Sequence, residues 1–521
     1  MSLALDLIIK NGVVVTAADE TACDIGVKDG KVVLLMANMP VPEGCEVIDA
    51  EGGYVTPGLV DSHVHIAQSA AKSLGARSAD DWTSASRSAV GGGTTTVIAF
   101  AVQNRGCSMQ AAVDAYHELA TNNAVCDYSF HVIVTDPSEE MMHGELPRLI
   151  EQGITSVKIY STYPALKLND EEILNTLFAA RKYGVTVMVH AENSDMISWM
   201  VKDLVSRGMT APWNHGTSRP PIVESEATNR VLALSELMDC PVLFVHVSAP
   251  EAFRVIREAQ TRLMSVFAET CPHYLLLTGK EMRRPEPFEG AKACCAPPLR
   301  ENPADREKVW ENTVNGTVTV LSSDHAPTNF YDPNGKQLGL TKNPGNNPHG
   351  DFRYIPNGLP GVETRGPLAW SEGVCKGRMT PSKFVELNCT NAAKLYGMYP
   401  QKGTIQPGSD ADFVIWRKPS ARKPSQITVK NLHSACDYTP FEGHGIQDWP
   451  VKTILRGKVV YDGASNDITV QPGYGQFLKR GKSTLQGPRN QWLNEWRPQY
   501  VEEEEAKAEK NGEACAHGCA H

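Results

Sequence analysis

Short apolar runs alternate with amphipathic segments over the middle of the chain, from about Gly58 to Gly397. Eight of these runs have the length and composition of buried strands: LVDSHVHI, TTTVIAFA, DYSFHVIVT, SVKIYS, VTVMVHAE, PVLFVHVS, MSVFAET and TVTVLSSDHAP. Intervening segments such as DEEILNTLFAARKYG repeat apolar residues every three or four positions, as helices do. Alternating strands and helices predict a parallel sheet, and eight such units predict a (β/α)8 TIM-like barrel.

The two chain ends share a different pattern. Short β-rich runs broken by Asn-Gly and Asp-Gly turns occupy residues 5–50, and similar runs return after Gly403. Because chain termini often lie near one another, we expect both ends to build one smaller β-sandwich domain. The predicted division assigns residues 1–57 and 401–471 to the sandwich and 58–400 to the barrel. Residues 472–521 are predicted to form an extension, with a flexible end, that contacts a neighbouring subunit.

The composition of the chain favours a globular protein and disfavours membrane-spanning and nucleic-acid-binding proteins. The 521 residues are 41% hydrophobic and 21% charged, as in ordinary globular chains that bury a large core. No apolar run reaches the about 18 residues that span a bilayer, and 50 Lys and Arg against 60 Asp and Glu disfavour a nucleic-acid partner. The thirteen scattered cysteines form no disulfide framework, and the N-terminus lacks a signal-peptide pattern. We therefore expect a cytoplasmic protein with neither a membrane nor a nucleic-acid partner.

Polar residues stand at or near the ends of five of the predicted strands, where barrel enzymes place their active sites. They are His63 and His65, Lys158, His190, His246 and Asp324. Alternate strand residues face the same side, so the side chains of His63 and His65 can bind one ion. A single histidine after an apolar run is more often a core residue, but this set together supplies nitrogen and oxygen ligands suited to zinc.

Lys158 is the unusual member of this set. A charged ammonium would be repelled by divalent ions, whereas a buried lysine loses its proton readily. The neutral amine can react with carbon dioxide to give a carbamate that bridges two metals. The alternative from the residues alone is an ion pair between Lys158 and Asp324 inside the barrel.

Other chemistry-bearing residues fit structural roles better. His131, in the third predicted strand, is expected in the core or behind the site. Cys271, Cys294 and Cys295 have no evident base partner and are expected to be small buried residues. The terminal CAHGCAH can bind a metal, but its acidic, flexible surroundings disfavour a structural site.

Motifs along nearly the whole chain resemble the dihydropyrimidinase or hydantoinase family, in the cyclic amidohydrolase branch of the amidohydrolase superfamily. The motifs are TPGLVDSHVHI, TTTVIAF, SVKIYSTYPAL, VHAEN, LFVHVS, ETCPHYL, PPLR, SDHAP, RYIPNGLPGVETR, TNAAKLYGMYPQKGTI, GSDADFVIW and DYTPFEG. The resemblance implies hydrolytic opening of a small cyclic amide by a binuclear metal centre, with two Zn²⁺ ions per subunit. It also implies a homotetramer, to which the segment around residues 492–500 would contribute.

Carried over by position, the resemblance assigns His63, His65 and Asp324 to the first metal and His190 and His246 to the second. Carbamylated Lys158 (N6-carboxylysine) would bridge the two. Asp324 would also carry a proton from the attacking water to the leaving ring nitrogen. Three further residues would contact the substrate: Tyr163 through its hydroxyl, Asn357 through its backbone, and Ala296. The family commonly has serine at the position of Ala296, a departure that affects substrate choice if the hydroxyl is used.

The implied reaction converts 5,6-dihydrouracil or dihydrothymine to an N-carbamoyl-β-amino acid in reductive pyrimidine degradation, with 5-substituted hydantoins as related substrates. An allantoinase remains an alternative because His325-Ala326-Pro327 follows Asp324. A dihydroorotase would need a cation for the substrate carboxylate, with Arg300 and Arg353 as candidates. A non-enzymatic scaffold related to this family is the alternative of another class, and the complete ligand set argues against it.

Overall fold

Eight parallel strands form the central sheet of the computed structural model, which describes residues 4–68 and 75–485. Each strand pairs with the next one along the chain. The strands are β8 (Leu59–Val64), β9 (Thr94–Val102), β10 (Asp127–Ile133), β11 (Ser156–Tyr160), β12 (Thr186–His190), β13 (Val242–Phe244), β14 (Val266–Thr270) and β15 (Val320–Leu321). Each lies within one of the eight runs predicted from the sequence.

The sheet closes between its first and last strands. Val64 forms a parallel bridge with His325, which lies just beyond β15. The N–H of His65 donates to the carbonyl of His325 at 2.7 Å, beside this bridge. The central sheet is therefore a barrel, and the predicted fold class is confirmed.

Helices connect the barrel strands, and their ends follow ordinary capping rules. Asn169 accepts a hydrogen bond from the N–H of Glu172 at the start of the helix Asp170–Tyr183, and Gly184 ends that helix with a φ of 71°. The α-helices are α1 (Trp82–Gly91), α2 (Met109–Ala120), α3 (Leu146–Glu151), α4 (Asp170–Tyr183), α5 (Ser194–Ser206), α6 (Trp213–Thr217), α7 (Pro221–Met238), α8 (Pro250–Thr261), α9 (Pro272–Leu276), α10 (Pro303–Val314), α11 (Leu338–Thr341), α12 (Arg365–Leu368), α13 (Pro381–Val385) and α14 (Asn391–Leu395).

Shorter helical turns of other types complete the connections. Helices of the 3₁₀ type span Gly279–Arg283, Glu289–Ala293, Phe352–Tyr354, Pro419–Ala421 and Val429–Asn431. Helices of the π type span Glu140–Glu145, Ala369–Cys375 and Glu386–Thr390. In the described ranges, no helix has the length and apolar character needed to cross a membrane.

Strands from both chain ends build two further large sheets. The N-terminal strands are β1 (Leu7–Lys10), β2 (Val13–Val15), β3 (Glu20–Ala22), β4 (Asp24–Lys28), β5 (Lys31–Met36), β6 (Glu46–Asp49) and β7 (Tyr54–Pro57). The C-terminal strands are β16 (Phe413–Trp416), β17 (Ser425–Gln426), β18 (Gly445–Ile446), β19 (Lys452–Leu455), β20 (Lys458–Asp462) and β21 (Asp467–Ile468). Among the described residues, β17 and β18 form a separate two-stranded sheet.

The seven-stranded sheet joins the two ends directly, because β7 pairs with β16 in antiparallel register in the order β21-β20-β19-β16-β7-β2-β3. The four-stranded sheet has the order β5-β4-β1-β6. Leu7 and Val27 of the smaller sheet share one buried apolar cluster with Val55, Phe413 and Ile454 of the larger sheet. The expected second domain, formed by both ends, is therefore present, and the exact domain limits stay a prediction.

A buried lysine links this second domain to the amino end of the barrel. The Nζ atom of Lys402 lies 2.7 Å from Asp127, at the start of β10, and 2.9 Å and 2.6 Å from Asp410 and Asp412. Arg456 also pairs with Asp127. These three carboxylates lie close enough to one another to hold an ion, but the ammonium of Lys402 already fills that place. We therefore assign the cluster a structural role.

Candidate metal centre and active site

The six candidate ligands converge at the carboxyl end of the barrel. His63 lies in β8, and His65 follows directly after it. Lys158 is the middle residue of β11, His190 ends β12, and His246 and Asp324 stand two and three residues beyond β13 and β15. Parallel strands carry their carboxyl ends to one rim, so residues distant in sequence meet there.

His63, His65 and Asp324 form a compact group whose ligand atoms all lie within 4.8 Å of one another. The Oδ1 atom of Asp324 is 3.2 Å from Nε2 of His63 and 3.4 Å from Nε2 of His65. Burial alone would raise the pKa of Asp324, but the two histidines outweigh it and lower that pKa well below its usual range. This group therefore supplies a carboxylate and two imidazoles to one point, as a divalent ion requires.

His190 and His246 form a second pair beside the first group. Their ring centroids are 4.4 Å apart, and the ring of His246 lies 5.3 Å from that of His63. Burial lowers the pKa of all three imidazoles, which favours the neutral form that binds metals. The Nδ1 atom of His246 is buried and has no hydrogen-bond partner among the described residues. A buried polar atom without a partner is costly, so this donor set fits a metal ion.

Lys158 lies between these groups and is fully buried. Its Nζ atom is 3.5 Å from Nε2 of His63. Burial lowers the pKa of Lys158 to about 8. It forms no ion pair with Asp324 or with any other carboxylate in residues 4–68 and 75–485, so the alternative of a Lys158–Asp324 pair is not observed.

Two acidic residues behind the ligands were not identified from the sequence. Glu269, in β14, has Oε1 2.7 Å from Nδ1 of His63, and burial raises the pKa of Glu269 to about 8. Glu192 lies 2.8 Å from Nε2 of His190 and 2.5 Å from the guanidinium of Arg219. Both glutamates follow apolar runs, in ETCPHYL and VHAEN, so their position at a strand end was an available signal.

Tyr163 lies on the loop after β11, in the left-handed region with a φ of 64°. Burial raises the pKa of its phenol to about 12, so the hydroxyl stays protonated at neutral pH. The Nδ2 atom of Asn357 donates to this hydroxyl at 3.4 Å, and the guanidinium of Arg219 lies 5.6 Å from the ring centroid. Tyr163 and Asn357 are therefore brought together, as expected for two residues of one binding site.

Ala296 and Asn357 share a distinctive backbone environment. Ala296 is nearly buried, and Asn357 is held on a separate loop before the bridge residue Leu359. Within the part of the chain that the structure describes, the backbone N–H and C=O groups of both residues make no hydrogen bond. Such groups are normally paired, and a ligand that offers an amide edge would pair them.

Arg300 and Arg353, the candidates for binding a substrate carboxylate, are both engaged elsewhere. Arg300 forms a buried ion pair with Glu224 and donates to Ser248 at 3.0 Å. Arg353 pairs with Asp351 at 2.6 Å. Neither guanidinium is therefore available as a free anion clamp.

His131, Cys271, Cys294 and Cys295 are buried, as was expected of them. His131 is buried, with its ring nitrogens 2.5 Å from Ser156 Oγ and 2.9 Å from the carbonyl of Ser62. Burial raises the thiol pKa of Cys271, Cys294 and Cys295, which disfavours a thiolate nucleophile. The CAHGCAH end and the segment at 492–500 lie outside the described residues.

Comparisons with known proteins show which sequences and structures this chain resembles. The model of the family described as "Amidohydrolase family" matches residues 54–460. A D-hydantoinase of Ralstonia pickettii is 41% identical over 92% of this chain and 99% of its own length. A D-hydantoinase of Geobacillus stearothermophilus is 40% identical over 91% of this chain and 96% of its own length.

Solved structures give the same result for the fold. The dihydropyrimidinase of Brevibacillus agri superimposes with a TM-score of 0.85 at 36% identity, covering 91% of this chain and 99% of that one. The L-hydantoinase of Arthrobacter aurescens gives a TM-score of 0.79 at 29% identity, covering 92% and 100%. The similarity thus includes proteins named hydantoinase and dihydropyrimidinase.

Proposed function

This chain belongs to the amidohydrolase family, and we propose that it opens cyclic amide rings by hydrolysis, with 5,6-dihydrouracil and dihydrothymine as substrates. The products are N-carbamoyl-β-amino acids, as reductive pyrimidine degradation requires, and 5-substituted hydantoins are further substrates. The observation that carries this proposal is the convergence of six candidate ligand residues beside the backbone groups of Ala296 and Asn357, which are unpaired in the described residues. The first group fits metal-assisted hydrolysis, and the second fits an uncharged ring amide.

The proposed ligands of the first metal are His63, His65 and Asp324, and those of the second are His190 and His246. Neutral imidazoles and a carboxylate suit Zn²⁺. When held by these residues, such ions would supply a water of lowered pKa and would polarise the carbonyl to be attacked.

Lys158 completes this arrangement as N6-carboxylysine. Its lowered pKa, about 8, leaves part of the amine neutral near physiological pH. The nitrogen lone pair attacks the carbon of CO₂, an N–C bond forms as one C=O π bond opens and places its electron pair on oxygen, and one amine proton leaves to solvent. The anionic carbamate would replace a cation that has no carboxylate partner among the described residues, and it would add oxygen ligands for the metals.

Asp324 is the proposed proton carrier. Its lowered pKa keeps it ionised, so it can accept the proton of the attacking water. The same carboxyl then delivers that proton to the ring nitrogen as the C–N bond breaks. One residue thus serves both proton transfers, and the leaving nitrogen departs as a neutral group.

Tyr163 is the proposed donor to the substrate carbonyl. The carbonyl oxygen gains negative charge in the tetrahedral state. A preorganised hydroxyl therefore stabilises the tetrahedral state more than it stabilises the bound substrate. The phenol pKa of about 12 keeps this proton in place at neutral pH. The neighbouring Asn357 amide fixes the position of the hydroxyl by donating to its oxygen.

Ring recognition is assigned to the backbone of Ala296 and Asn357. A cyclic ureide presents N–H donors and C=O acceptors along one edge, and unpaired backbone groups complement that edge. Since such a contact uses the main chain, alanine in place of the serine common in this family preserves it. The guanidinium groups of Arg300 and Arg353 are both held in ion pairs, so neither is free to bind the carboxylate of dihydroorotate. This favours an uncharged ring as the substrate.

Allantoin is the second candidate substrate. It is also an uncharged cyclic ureide, and the His325-Ala326-Pro327 segment after Asp324 favours it in this sequence. We further propose a homotetramer in the cytoplasm, which sedimentation of the purified protein and localisation of a tagged chain would test.

The deciding experiment measures ring opening by loss of ultraviolet amide absorbance. Metal-replete protein is assayed with dihydrouracil, a 5-substituted hydantoin, allantoin and dihydroorotate, beside Lys158→Ala and the exposed control Lys202→Ala. We expect turnover of dihydrouracil and two bound metals per chain in the parent and Lys202→Ala, and loss of both in Lys158→Ala. Turnover of allantoin or dihydroorotate alone would overturn the substrate, and no turnover by metal-loaded protein would favour a scaffold.

A further inference from the structure

Lys336 is a fully buried lysine that lies outside the set of catalytic and metal-binding residues. Its Nζ atom donates to three backbone carbonyls: those of Cys294 at 3.1 Å, Pro356 at 2.7 Å and Gly358 at 2.9 Å. No carboxylate in the described ranges pairs with Lys336. Burial lowers the pKa of its ammonium to about 8. The three donors of one ammonium are thus all used on main-chain oxygens.

These carbonyls belong to the two segments that we assign to ring recognition. Pro356 and Gly358 stand directly before and after Asn357, and Cys294 stands two residues before Ala296. The N–H of Gly358 also donates to the carbonyl of Cys294 at 3.1 Å. Lys336 therefore joins the Ala296 loop to the Asn357 loop through their backbones.

The hydrogen bonds around the two residues follow one pattern. The carbonyl of Cys295 lies 2.7 Å from Nε2 of His215, and the carbonyl of Pro297 accepts from the Tyr274 hydroxyl at 2.6 Å. The carbonyls on both sides of Ala296, like those on both sides of Asn357, are therefore occupied. In the described structure, the backbone groups of Ala296 and Asn357 themselves stay unpaired.

We propose that Lys336 is a positioning residue for substrate recognition, which fixes the Ala296 and Asn357 backbones so that their free groups face the ring. This inference rests on the proposed function of the site. Removal of the ammonium leaves the carbonyls of Pro356 and Gly358 without a donor, leaves that of Cys294 with the Gly358 N–H alone, and weakens the link between the two loops. Since the backbone groups contact the ring before and during the reaction, the loss falls mainly on KM.

The test compares Lys336→Met with Lys336→Gln, which keeps an amide donor. The matched control is Lys292→Met, because Lys292 is a half-buried lysine of the same region that pairs with Glu289 instead of with these carbonyls. Each protein is measured for KM and kcat with dihydrouracil and a hydantoin, for bound metal, and for thermal midpoint.

We expect KM to rise about tenfold or more in Lys336→Met and less in Lys336→Gln, with kcat within about threefold and metal content unchanged. Lys292→Met keeps the parent KM. A folded Lys336→Met or Lys336→Gln protein with the parent KM would overturn the proposal, as would equal losses in kcat and metal content. If neither variant folds, Lys336 serves overall stability and the proposal is also overturned.

Failure of the proposed function gives a different result. In that case the metal-loaded parent protein opens none of the rings, whatever residue stands at position 336. Activity of the parent together with an unchanged KM in the folded variants rejects the role of Lys336 alone.

Discussion

The Oδ1 atom of Asp324 lies 3.2 Å from Nε2 of His63, although His63 belongs to the first barrel strand and Asp324 follows the eighth. The same oxygen is 3.4 Å from Nε2 of His65. Closure of the barrel creates this contact, because the backbone of the next residue, His325, bridges to Val64. The candidate centre is therefore built across the seam of the barrel.

Substitution Asp324→Asn tests the proton carrier. The amide has nearly the same shape but cannot accept a proton, so we expect kcat to fall by about 10²- to 10⁴-fold. Rates are compared at equal metal occupancy, determined by elemental analysis, because the substitution also removes a charged ligand. The exposed residue of β21 gives the control Asp467→Asn, which keeps the parent rate. A kcat near the parent value in metal-loaded Asp324→Asn would exclude this role.

Substitution Tyr163→Phe removes only the hydroxyl that we assign to the developing oxyanion. We expect kcat to fall by about 10²-fold or more, with little change in metal content or thermal midpoint. Because the phenol pKa is about 12, the parent pH profile shows no loss from Tyr163 ionisation below about pH 10. A Tyr163→Phe protein that changes only KM would show that the hydroxyl binds substrate without stabilising the transition state.

Glu269→Gln tests the residue behind His63. Glu269 lies 2.7 Å from Nδ1 of His63, so it fixes the orientation in which Nε2 faces Asp324. We expect metal affinity to fall about 10- to 100-fold, measured by competition with a chromogenic chelator. Added Zn²⁺ should restore most of the rate. Full activity with unchanged affinity would mean that packing alone holds the imidazole.

Metal removal tests the carbamate on Lys158. Chelation should abolish activity and lower the thermal midpoint, because an ion that binds only the folded state stabilises it. Reconstitution of the apoprotein with Zn²⁺ should be faster and more complete with added bicarbonate than in carbon-dioxide-free buffer. Reactivation that does not depend on bicarbonate would contradict a carbamate bridge.

The pair His433–Glu363 makes a pH-dependent contribution to stability. Burial alone would lower the pKa of His433, but the hydrogen bond to Glu363 at 2.7 Å outweighs it and the pKa is raised. This contribution to stability is fully present below about pH 6.5, the pKa of histidine in the unfolded chain. It is lost as pH rises through the higher pKa that His433 has in the folded protein. We therefore expect His433→Gln to lower the thermal midpoint more at about pH 5.5 than at about pH 9. An equal decrease in thermal midpoint at both pH values would show that the charge of His433 does not contribute to stability.

The barrel, and the meeting of the six candidate residues at its carboxyl rim, could be predicted from the sequence because both follow from local patterns; the role of the six as metal ligands stays a prediction. Apolar runs mark the strands, and a polar residue that ends such a run faces the carboxyl rim whatever its neighbours are. The pairing of β7 with β16 was expected only in general terms, since nothing in either run specifies its partner.

Glu192, Glu269 and Lys336 were not predicted. The two glutamates follow apolar runs, a signal that the sequence offered. The role of Lys336 depends on contacts with three carbonyls of distant segments, and no spacing in the sequence records those contacts. A buried lysine without a carboxylate partner in the described residues has the same sequence signature as an exposed one. Its function becomes visible only through the donors and acceptors that surround it.

The bridge between Val64 and His325 also fixes when the active site can first exist. During synthesis, His63 and His65 leave the ribosome long before Asp324, and contacts between such distant segments are the slowest to form. A nascent chain that ends before residue 320 contains the four histidines and Lys158 of the candidate centre but neither Asp324 nor the closed barrel. The chain is thus without its hydrolytic centre until the last barrel strand docks. We therefore expect an incomplete chain to have no ring-opening activity.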